Sequence, residues 1–517
     1  MDSLPTEINI ITLNCWGLKY LSKQRNERLT QIGRELAAAT PAPHIVALQE
    51  CWTQEDYRAI RREARLVLPY GKFYFSGAFG GGLAILSRWP IEESTMFRYP
   101  LNGRPTAFFR GDWFVGKGVA CAAIRYGPGE KHVIEVFNTH THAPYEKEPH
   151  DSYTAHRTAQ AWEVARLLRG AAARGHLVIG LGDFNMLPDS LPHRLITAHA
   201  PVRDAWRVLH PDSALGPADH PAERARGRPV PTAELNLLEN GATSDNVYNT
   251  WRWPATMRKL LGPGRPAVEV PPERADPRGK RLDYVFAGTG DVRALGGGWV
   301  VRDARVGMTK RHPELGCSLS DHFSVEVTLA FHRADEGAGG DGSGAGEKAS
   351  GGSRRRRSDR GSLDPDGAVR EGAFLESPAS SIRRRRSLSL DAQLLAAPGG
   401  EGLPASTYDE ILGMVRRYVA REQRQRRWRG WHFFGEVAVA VGCLVAVWFS
   451  PHNYVAFILM LVSSLGLTAG TIDGLISLLF IGSELRALKE FEWEISNAKA
   501  AASGGPLPAQ QDGEKGW

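Results

Sequence analysis

Short apolar runs that end in a polar residue recur through the first two thirds of the chain. The runs INIITL, HIVAL, HVIEVF and LVIGL have the length of strands and are bounded by turn-forming residues, which predicts strands buried in a sheet. Between them, residues 28–39 and 152–173 place apolar side chains at helical spacing. Because strands alternate with amphipathic helices, residues 1–332 are predicted to form a layered α/β domain. A Pro- and Arg-rich stretch at 209–235 interrupts this pattern and is predicted to be a surface loop.

Residues 333–405 have a different composition, dominated by Gly, Ser, Arg and acidic residues. They offer little apolar surface to offset the entropy of ordering, so a disordered linker is predicted. Two runs of four arginines within it precede Ser358, Ser387 and Ser389. A solvated basic linker is the simpler interpretation, and the alternative is a tether that binds anionic headgroups until its serines are phosphorylated.

Two long apolar stretches near the C-terminus, residues 431–449 and 454–482, predict a transmembrane hairpin. Each is close to or above the ~20 residues that a spanning helix needs, and neither has a polar face. A basic juxtamembrane helix at 406–430 is predicted before the hairpin, and residues 483–517 form a tail after it. Lys and Arg flank the outer ends of the hairpin and are missing from its turn. The positive-inside rule therefore predicts that the catalytic domain and both termini face the cytosol.

The composition indicates which kinds of partner and which cellular compartment suit this chain. A net charge of +7 and an isoelectric point of about 9.1 favour anionic partners, such as lipid surfaces or nucleic acid. Five scattered cysteines without a CxxC spacing argue against a disulfide framework or a zinc site and indicate a reducing compartment. The stretch MDSLPTEINIITLN lacks the basic and apolar regions of a secretory signal. Glu436 and Asp473 lie inside the predicted spans, where we expect them to pair the two helices.

Polar side chains follow the predicted strands in an order that suits one kind of chemistry. Because such strand ends converge on one rim of a packed sheet, carboxylates and amides there can hold a hard cation such as Mg2+. Glu50, after ALQ, is the best candidate for a direct ligand. Asn14 and Asp321 are predicted either to bind the cation or to hold its ligands in place. A cation beside acid–base groups predicts metal-assisted hydrolysis of a phosphate ester.

Five further residues are predicted to take part in the reaction itself. His322 is the predicted general base that accepts a proton from the attacking water, and Asp283 is predicted to orient its imidazole. Asp183 and Asn185 follow a tight glycine turn that aims both side chains at one place. His140 is predicted to stabilise charge on the phosphoryl group or to assist the leaving group.

Seven motifs together resemble one branch of a known superfamily. They are ALQECW, GGLAILSR, FRGDWFVGKGV, NTHTHAPY, LGDFNMLPDS, KRLDYVF and SLSDHFSV. The set is similar to that of neutral sphingomyelinases within the endonuclease/exonuclease/phosphatase superfamily. With its C-terminal hairpin, the chain specifically resembles the fungal type of inositol phosphosphingolipid phospholipase C. The segment TSDNVYNTW departs from the family's TCDSPxNTW at Ser244, Asn246 and Val247, which bears on substrate preference.

The resemblance implies a four-layer α/β sandwich, followed by the disordered linker and the two-helix transmembrane hairpin. It also implies Mg2+-dependent cleavage of a sphingolipid phosphodiester to ceramide and a phosphorylated headgroup. The family's lysine for activation by anionic lipid maps onto Lys117, and the activator would be of the phosphatidylserine, cardiolipin or phosphatidylglycerol type. The residues predicted to contact substrate or activating lipid are Lys117, Asn138, His142, Asp245, Asn249 and Trp113.

Three other functions compete with this interpretation. A nuclease of the same superfamily would fit the basic charge, but a membrane hairpin would hold it away from chromatin, so no nucleic-acid partner is expected. An inositol polyphosphate phosphatase fits less well, since that branch typically has a tryptophan before the GD motif and an arginine after its asparagine. A non-enzymatic membrane scaffold is disfavoured by the complete set of site residues. Inositol phosphoceramide and sphingomyelin differ far from the scissile bond, so both headgroups stay open.

Membrane residence carries four further expectations. The endoplasmic reticulum or the mitochondrial outer membrane is the expected location, and a homodimer through the spans is one option for assembly. Because the hairpin is separate from the α/β domain in sequence, removal of the chain from Tyr408 onward is expected to release it from membranes. The same truncation is expected to leave the metal site intact.

Overall fold

Two stacked six-stranded sheets form the centre of the computed structural model, which describes residues 4–146, 152–334 and 403–505. The first sheet has the order β11-β12-β1-β2-β4-β3. Its strands are β1 (Glu7–Asn14), β2 (Ile45–Gln49), β3 (Tyr70–Tyr74), β4 (Leu83–Ser87), β11 (Gly297–Gly307) and β12 (Ser324–Arg333). The second sheet has the order β5-β6-β7-β8-β10-β9. Its strands are β5 (Ile91–Arg98), β6 (Gly118–Arg125), β7 (Val133–His140), β8 (Leu177–Asp183), β9 (Arg203–Asp204) and β10 (Asp283–Gly288).

Helices cover the outer face of each sheet. In chain order the α/β part contains α1 (Arg25–Ala38), α2 (Gln54–Ala64), α3 (Asp112–Val115), α4 (Thr154–Ala173), α5 (Leu191–His199), α6 (Ala205–Leu209), α7 (Pro221–Arg226), α8 (Ala233–Leu238), α9 (Ala255–Arg258) and α10 (Val292–Leu295). The pair α1 and α2 packs on the first sheet, and the pair α4 and α5 packs on the second. The resulting order of helix, sheet, sheet and helix confirms the predicted four-layer sandwich.

The apolar runs are continuous because most of these strands are covered on both faces. Every residue of β2 and of β8 is buried. The layer between the sheets joins Ile10 and Ile45 of one sheet to Ile134 and Leu177 of the other. Strands that are covered on both sides have no polar face, so alternation is lost and a near-continuous apolar pattern appears in the sequence.

The stretch at 209–235 is more ordered than its composition predicts. It contains α7 and the start of α8, so the prediction of a loop throughout is wrong. The side chain of His220 caps α7 and Pro221 occupies its first turn, while Thr232 caps α8. Capping side chains and an N-terminal proline offset the poor helix propensity of the segment.

The C-terminal part of the described chain is a hairpin of two very long helices. Helix α11 (Ala405–Val447) is uninterrupted, and after a short turn α12 (Asn453–Leu475) leads through a π-helical turn (Ile476–Ile481) into α13 (Gly482–Ala502). Both arms are long and apolar enough to cross a membrane, which suggests membrane anchoring. The linker at 335–402, with its arginine runs and serines, lies outside the described residues.

Of the two acids in the predicted spans, Asp473 pairs the two helices as expected, whereas the polar partner of Glu436 lies on its own helix. Asp473 on α12 accepts hydrogen bonds from the side chains of Arg429 and His432 on α11. Glu436 lies 3.5 Å from His432 on the same helix and packs against Gly466 and Gly470 of α12. A buried acid in a membrane segment is expensive unless it is paired, and these contacts supply the partner.

The N-terminal half of α11 and most of α13 pack against the α/β sandwich and share its core. Ile411, Val415, Leu485 and Leu488 belong to the same cluster of buried residues as α4 and α5. Polar contacts reinforce this packing at four places: Arg104 with Tyr418, His156 with Glu484, Trp162 with Glu494, and His199 with Tyr408. The hairpin is therefore structurally continuous with the α/β domain, although its sequence is separated from that domain by the linker.

Candidate active site

The two sheets bring six of the predicted site residues to one edge of the sandwich. Parallel pairs end at the same edge, so β1 and β2 deliver two residues there and β7 and β8 deliver two more. The antiparallel neighbours β10 and β12 begin at that edge. The six residues are Asn14, Glu50, His140, Asp183, Asp283 and His322.

Asn14 connects the two sheets. Its amide nitrogen lies 3.2 Å from Oε1 of Glu50 on the first sheet and 3.0 Å from Oδ2 of Asp183 on the second. Its amide oxygen accepts a hydrogen bond from the backbone of Trp16, and its backbone carbonyl accepts one from the Ser320 hydroxyl. Both carboxylates are consequently held at fixed positions relative to each other.

His322 and Asp283 form a hydrogen-bonded pair. Nδ1 of His322 lies 2.8 Å from Oδ2 of Asp283, which also accepts a hydrogen bond from the Thr243 hydroxyl. Nε2 of His322 faces Asp183 at 3.9 Å. Burial alone would lower the pKa of His322, but the carboxylates of Asp283 and Asp183 outweigh it and raise the pKa well above its usual value. The arrangement can orient an imidazole and hold a proton on it.

His140 and Asn185 face the same carboxylate from the other side. Nε2 of His140 is 3.6 Å from Oδ2 of Asp183, and the backbone nitrogen of Asn185 donates to Oδ1. Burial, together with the positive charges of Lys117 and His322, lowers the pKa of His140 well below its usual value. His140 is therefore a neutral imidazole, suited to hydrogen bonding.

The backbone at two of these positions is strained in a way that serves the site. Glu50 has a φ of 52° and Asn185 a φ of 46°, both in the left-handed region that residues with a side chain seldom adopt. Gly182 precedes Asn185 near the end of β8, where a Cβ would lie 1.9 Å from the carbonyl oxygen of Thr139. Such strained residues cluster at functional sites.

The charges and unpaired oxygens of this edge fit a divalent cation. Oε2 of Glu50 and Oδ1 of Asp283 are buried and have no hydrogen-bond partner among the described residues. Burial and the nearby charge of Asp321 raise the pKa of Glu50 to about 7, and burial with Asp283 raises that of Asp183 to about 6. Ligand atoms of Asp183, Asp283 and His322 also lie within 4.8 Å of one another. Carboxylate and amide oxygens are what Mg2+ prefers.

Replacement of Glu50 is expected to weaken cation binding. In the wild-type chain, Mg2+ should raise the melting temperature, because a ligand that binds the folded state stabilises it. Glu50→Gln removes the buried negative charge, so the Mg2+ concentration needed for half of this rise should increase by about tenfold or more. Differential scanning fluorimetry across a Mg2+ series measures the shift without any need for turnover.

The matched control is Glu135→Gln. Glu135 is a half-buried carboxylate on β7 that pairs with Arg174 and His176, remote from Asn14 and Glu50. Its loss should lower the melting temperature at every Mg2+ concentration and leave the Mg2+ midpoint unchanged. An unchanged midpoint in Glu50→Gln would remove Glu50 from the cation site.

Three of the predicted contact residues are internal supports. Asn138 is completely buried between the sheets, where it donates to the carbonyls of Leu48 and Ala84 and accepts from Gln49. Asn249 donates to the carbonyl of Ser320, next to Asp321. His142 is buried against Gln160 and His156. Asn138 and Asn249 thus support the backbone around the site, and His142 is held through its Nδ1, while its Nε2 is buried without a hydrogen-bond partner among the described residues.

The other residues that were predicted to contact substrate, lipid or the cation lie around the active-site edge of the sandwich. Lys117 is nearly buried, with its ammonium 2.9 Å from the carbonyl of Thr141 and 3.6 Å from Asp112. The same carbonyl accepts a hydrogen bond from Asn185. Trp113 contacts Phe480 of the π-helical turn, with ring centroids 4.7 Å apart. Asp321 lies in the loop before β12, and Asp245 forms ion pairs with Arg252 and Lys280.

The sequence analysis missed several residues that complete the site. The Thr243 hydroxyl donates to the carboxylate of Asp283, and the Ser320 hydroxyl donates to the backbone carbonyl of Asn14. Lys280 and Arg252 carry positive charges and pair with Asp245. Lys280 was visible in the KRLDYVF motif, in which only the aspartate was interpreted. Ser320 precedes Asp321 and could have been suspected from that position. Thr243 gave no signal, because its contact with Asp283 spans forty residues.

Comparison with known proteins agrees with the family resemblance of the sequence motifs. Residues 11–322 match the model of the Endonuclease/Exonuclease/phosphatase family. The chain is 34% identical over 494 residues to the inositol phosphosphingolipids phospholipase C of Schizosaccharomyces pombe, covering 95% of this chain and 94% of that protein. It is 32% identical over 520 residues to the protein of the same description from Saccharomyces cerevisiae, covering 96% and 91%. Human sphingomyelin phosphodiesterase 2 is 35% identical over 322 residues, covering 62% of this chain and 64% of that protein.

Proposed function

The chain belongs to the endonuclease/exonuclease/phosphatase family, among its inositol phosphosphingolipid phospholipases C and neutral sphingomyelinases, and we propose that it is a membrane-anchored, Mg2+-dependent sphingolipid phospholipase C. Its substrates are inositol phosphosphingolipids, sphingomyelin or both, and its products are ceramide and a phosphorylated headgroup. The observation that carries the proposal is the similarity over nearly the whole chain, including the helical hairpin, to two inositol phosphosphingolipids phospholipases C.

The reaction is hydrolysis of the phosphodiester on its ceramide side. In its neutral form, with its proton on the Nδ1 that faces Asp283, His322 accepts a proton from water at Nε2. The water oxygen attacks phosphorus, and the bond from phosphorus to the ceramide oxygen breaks. Asp283 keeps the acceptor nitrogen of His322 facing the site through its 2.8 Å hydrogen bond to Nδ1. Asp183 positions the water, and the ceramide oxygen leaves with a proton from solvent or from the site.

Two neutral groups stabilise the charge that develops on the phosphoryl oxygens. The amide of Asn185 is fixed by the carbonyl of Thr141, and the low pKa of His140 keeps it a hydrogen-bond donor without charge. This favours stabilisation of the phosphoryl group over proton donation as the role of His140. Fixed donors of this kind act without reorganisation in a site that excludes water.

Mg2+ would be held by Glu50, with Asn14 and Asp321 beside it. The support is the unpaired buried oxygen of Glu50 and the proximity of Asp321 that raises the pKa of Glu50. When bound, the cation supplies charge neutralisation and polarisation of the phosphate. Asn14 also ties the position of Glu50 to that of Asp183, so one side chain holds both the residue that would bind the cation and the residue that would position the water.

The active-site edge faces the bilayer. Helix α11 runs along α4, with Tyr408 near the far end at His199 and Tyr418 near the active-site end at His156. It then continues past that edge into its apolar part. By the positive-inside rule, the arginines before the first span and Arg486 after the second support a catalytic domain on the cytosolic side.

An exposed aromatic cluster on the same edge supports this orientation. Phe79, Phe108 and Phe114 pack on one another, and Phe109 projects fully into solvent. Trp113 joins this cluster to Phe480 on the hairpin. Aromatic side chains of this kind reside favourably at the headgroup level of a bilayer. The cluster would bring the cleft to the depth of the phosphate.

Anionic phospholipid is proposed to act at the base of the hairpin. A groove of about 550 Å³ there is lined by Arg426, Arg427, Trp431, Phe434 and Ser477, a combination that suits an anionic headgroup above acyl chains. Lys117 would contribute indirectly, because its ammonium is already used by Thr141 and Asp112. It would keep in place the Thr141 carbonyl that orients Asn185.

The first test of the proposal is release of ceramide by the full-length chain. Micelles containing phosphatidylserine and either inositol phosphoceramide or sphingomyelin would be incubated with Mg2+ or with EDTA. We expect ceramide to appear only with Mg2+. A protein that binds Mg2+, as judged by its melting temperature, and yet releases no ceramide from either lipid would overturn the assignment.

A further inference from the structure

Two positively charged side chains, Lys280 and Arg252, lie at the rim of the active-site edge. We infer that Lys280 and Arg252, held by Asp245, form the subsite for the headgroup and select a polyol such as inositol over a quaternary ammonium such as choline. The inference rests on the proposed function and names the substrate class that this function leaves open. It gives Asp245, a predicted contact residue, the role of positioning two other residues.

Asp245 holds both cations. Its Oδ1 pairs with Arg252, and its Oδ2 lies 2.8 Å from the ammonium of Lys280. Asp245 itself is mostly covered and has a φ of 59°, a left-handed conformation whose cost indicates a constrained position. Arg252 is about half exposed and Lys280 about one-third exposed. Both can therefore meet a ligand from solvent while their carboxylate partner stays fixed.

The pair is adjacent to the general base. The backbone of Ser244 forms one antiparallel bridge to His322 and another to Lys280, so the three residues lie side by side on neighbouring segments. Electrostatics agree with this geometry: the charge of Asp183 acts on Lys280, and the charge of Asp321 acts on Arg252. The two cations therefore lie beside the carboxylates of the active-site edge.

In the strand order, Lys280 and Arg252 lie on the opposite side of the site from Trp113 and Phe480, which mark the proposed membrane contact. Along the second sheet, Lys117 precedes β6 and His140 ends β7, whereas Asp283 begins β10 on the other side of β8. Trp113 and Phe480 lie on the β6 flank, and Lys280 lies three residues before β10. Ceramide remains with the bilayer and the hairpin, so the headgroup occupies the β10 flank.

The charge of this flank discriminates between headgroups. Asp245 is one carboxylate shared by two cations, so these three side chains together carry one net positive charge. Ammonium and guanidinium groups donate hydrogen bonds that inositol hydroxyls can accept. Choline has no acceptor and carries a positive charge, so it is repelled. The nearby rings of Trp16 and Trp251 pack on each other, and the guanidinium of Arg28 lies over both, so its positive charge opposes a second cation there.

The experiment compares two lipids with the same enzyme. Initial rates of ceramide release from inositol phosphoceramide and from sphingomyelin would be measured for the wild type, Lys280→Gln, Arg252→Gln and the double variant, in matched micelles. The wild type should prefer the inositol lipid, and the double variant should lose about tenfold or more of that preference. A general effect on the metal site or on the chemical step is common to both lipids and cancels in the ratio.

Lys259→Gln is the matched control. Lys259 lies in the neighbouring groove with Arg258 and Trp251 and forms no ion pair with Asp245. Its loss removes one positive charge from the same side of the molecule, and we expect the ratio to stay unchanged. Circular dichroism and the Mg2+-dependent melting shift would verify that each variant is folded.

The outcomes separate the inference from the function on which it rests. A wild type that prefers sphingomyelin, or a double variant that keeps the wild-type ratio, overturns the headgroup subsite while leaving the phospholipase C activity established. Equal losses with both lipids would give the two cations a structural role and would also overturn it. Absence of ceramide from both lipids in the wild type instead refutes the proposed function.

Discussion

His322→Ala is expected to lower the turnover number for sphingolipid by about 10²–10⁴-fold, the range contributed by a positioned general base. The imidazole faces Asp183 with one nitrogen and is held on its other nitrogen by a carboxylate, Asp283. Its removal should leave the fold intact, because Asp283 keeps its hydrogen bond to the Thr243 hydroxyl. Ceramide release under saturating Mg2+, with the melting temperature measured in parallel, checks both parts.

Asp283→Asn should have a smaller effect and a distinctive pH profile. The carboxylate of Asp283 raises the pKa of His322, so its neutralisation lowers that pKa. The unprotonated base then persists to lower pH, and the acid limb of the rate profile moves to lower pH. The maximum rate still falls, because an amide no longer fixes the tautomer that presents Nε2 to water.

His176→Ala is the matched control for this pair of variants. His176 also pairs with a carboxylate, Glu135, but it precedes β8 and lies at the opposite edge of the sandwich. Turnover should remain near the wild-type level. Wild-type turnover in His322→Ala itself, in a folded protein that responds to Mg2+, would contradict the assigned role of the histidine.

The catalytic edge was predictable because its chemistry is local in sequence. Asn14, Asp183 and His140 each end a strand whose apolar run is legible, and parallel pairing necessarily brings such ends together. The pairing of His322 with Asp283 could be proposed from the need of a base for an acceptor. It required no knowledge of how the two sheets stack.

What escaped prediction depends on contacts between distant segments. Asn138 ends no strand and points between the sheets, which no periodicity distinguishes from a residue that points to the substrate. Asn249 donates a hydrogen bond to the carbonyl of Ser320 in the loop before β12, and Asp245 holds the ammonium of Lys280 in an ion pair. Each of these roles is fixed by a partner that lies between roughly thirty and ninety residues away, and a local pattern contains no information about such a partner.

The helical hairpin is the largest departure from the sequence-based expectation. A truncation that removes Tyr408 and all that follows was expected to spare the metal site, but α11 and α13 share buried residues with α4 and α5. Loss of these helices would expose that surface and leave Arg104 and His156 without Tyr418 and Glu484. Buried polar groups without partners are costly, so the packing contradicts this expectation.

We therefore expect two deletions to behave in opposite ways. A chain that ends at residue 402 should leave the membrane but aggregate or unfold, with no melting shift on addition of Mg2+. A chain in which residues 430–475 are replaced by a short Gly/Ser turn should be soluble and folded. The design is feasible because the two arms are adjacent at this level, where the Ser477 hydroxyl donates to the carbonyl of Arg426 at 2.8 Å.

The second deletion also separates anchoring from catalysis. It retains both helical segments that pack on α4 and the contact of Phe480 with Trp113. It should therefore bind Mg2+ and, in detergent micelles without anionic phospholipid, release ceramide at close to the wild-type rate. On vesicles its rate should fall at low lipid concentration, because the span no longer holds the enzyme at the surface and binding depends on lipid concentration. Equal folding and Mg2+ response in the two deletions would mean that α11 and α13 act only as an anchor.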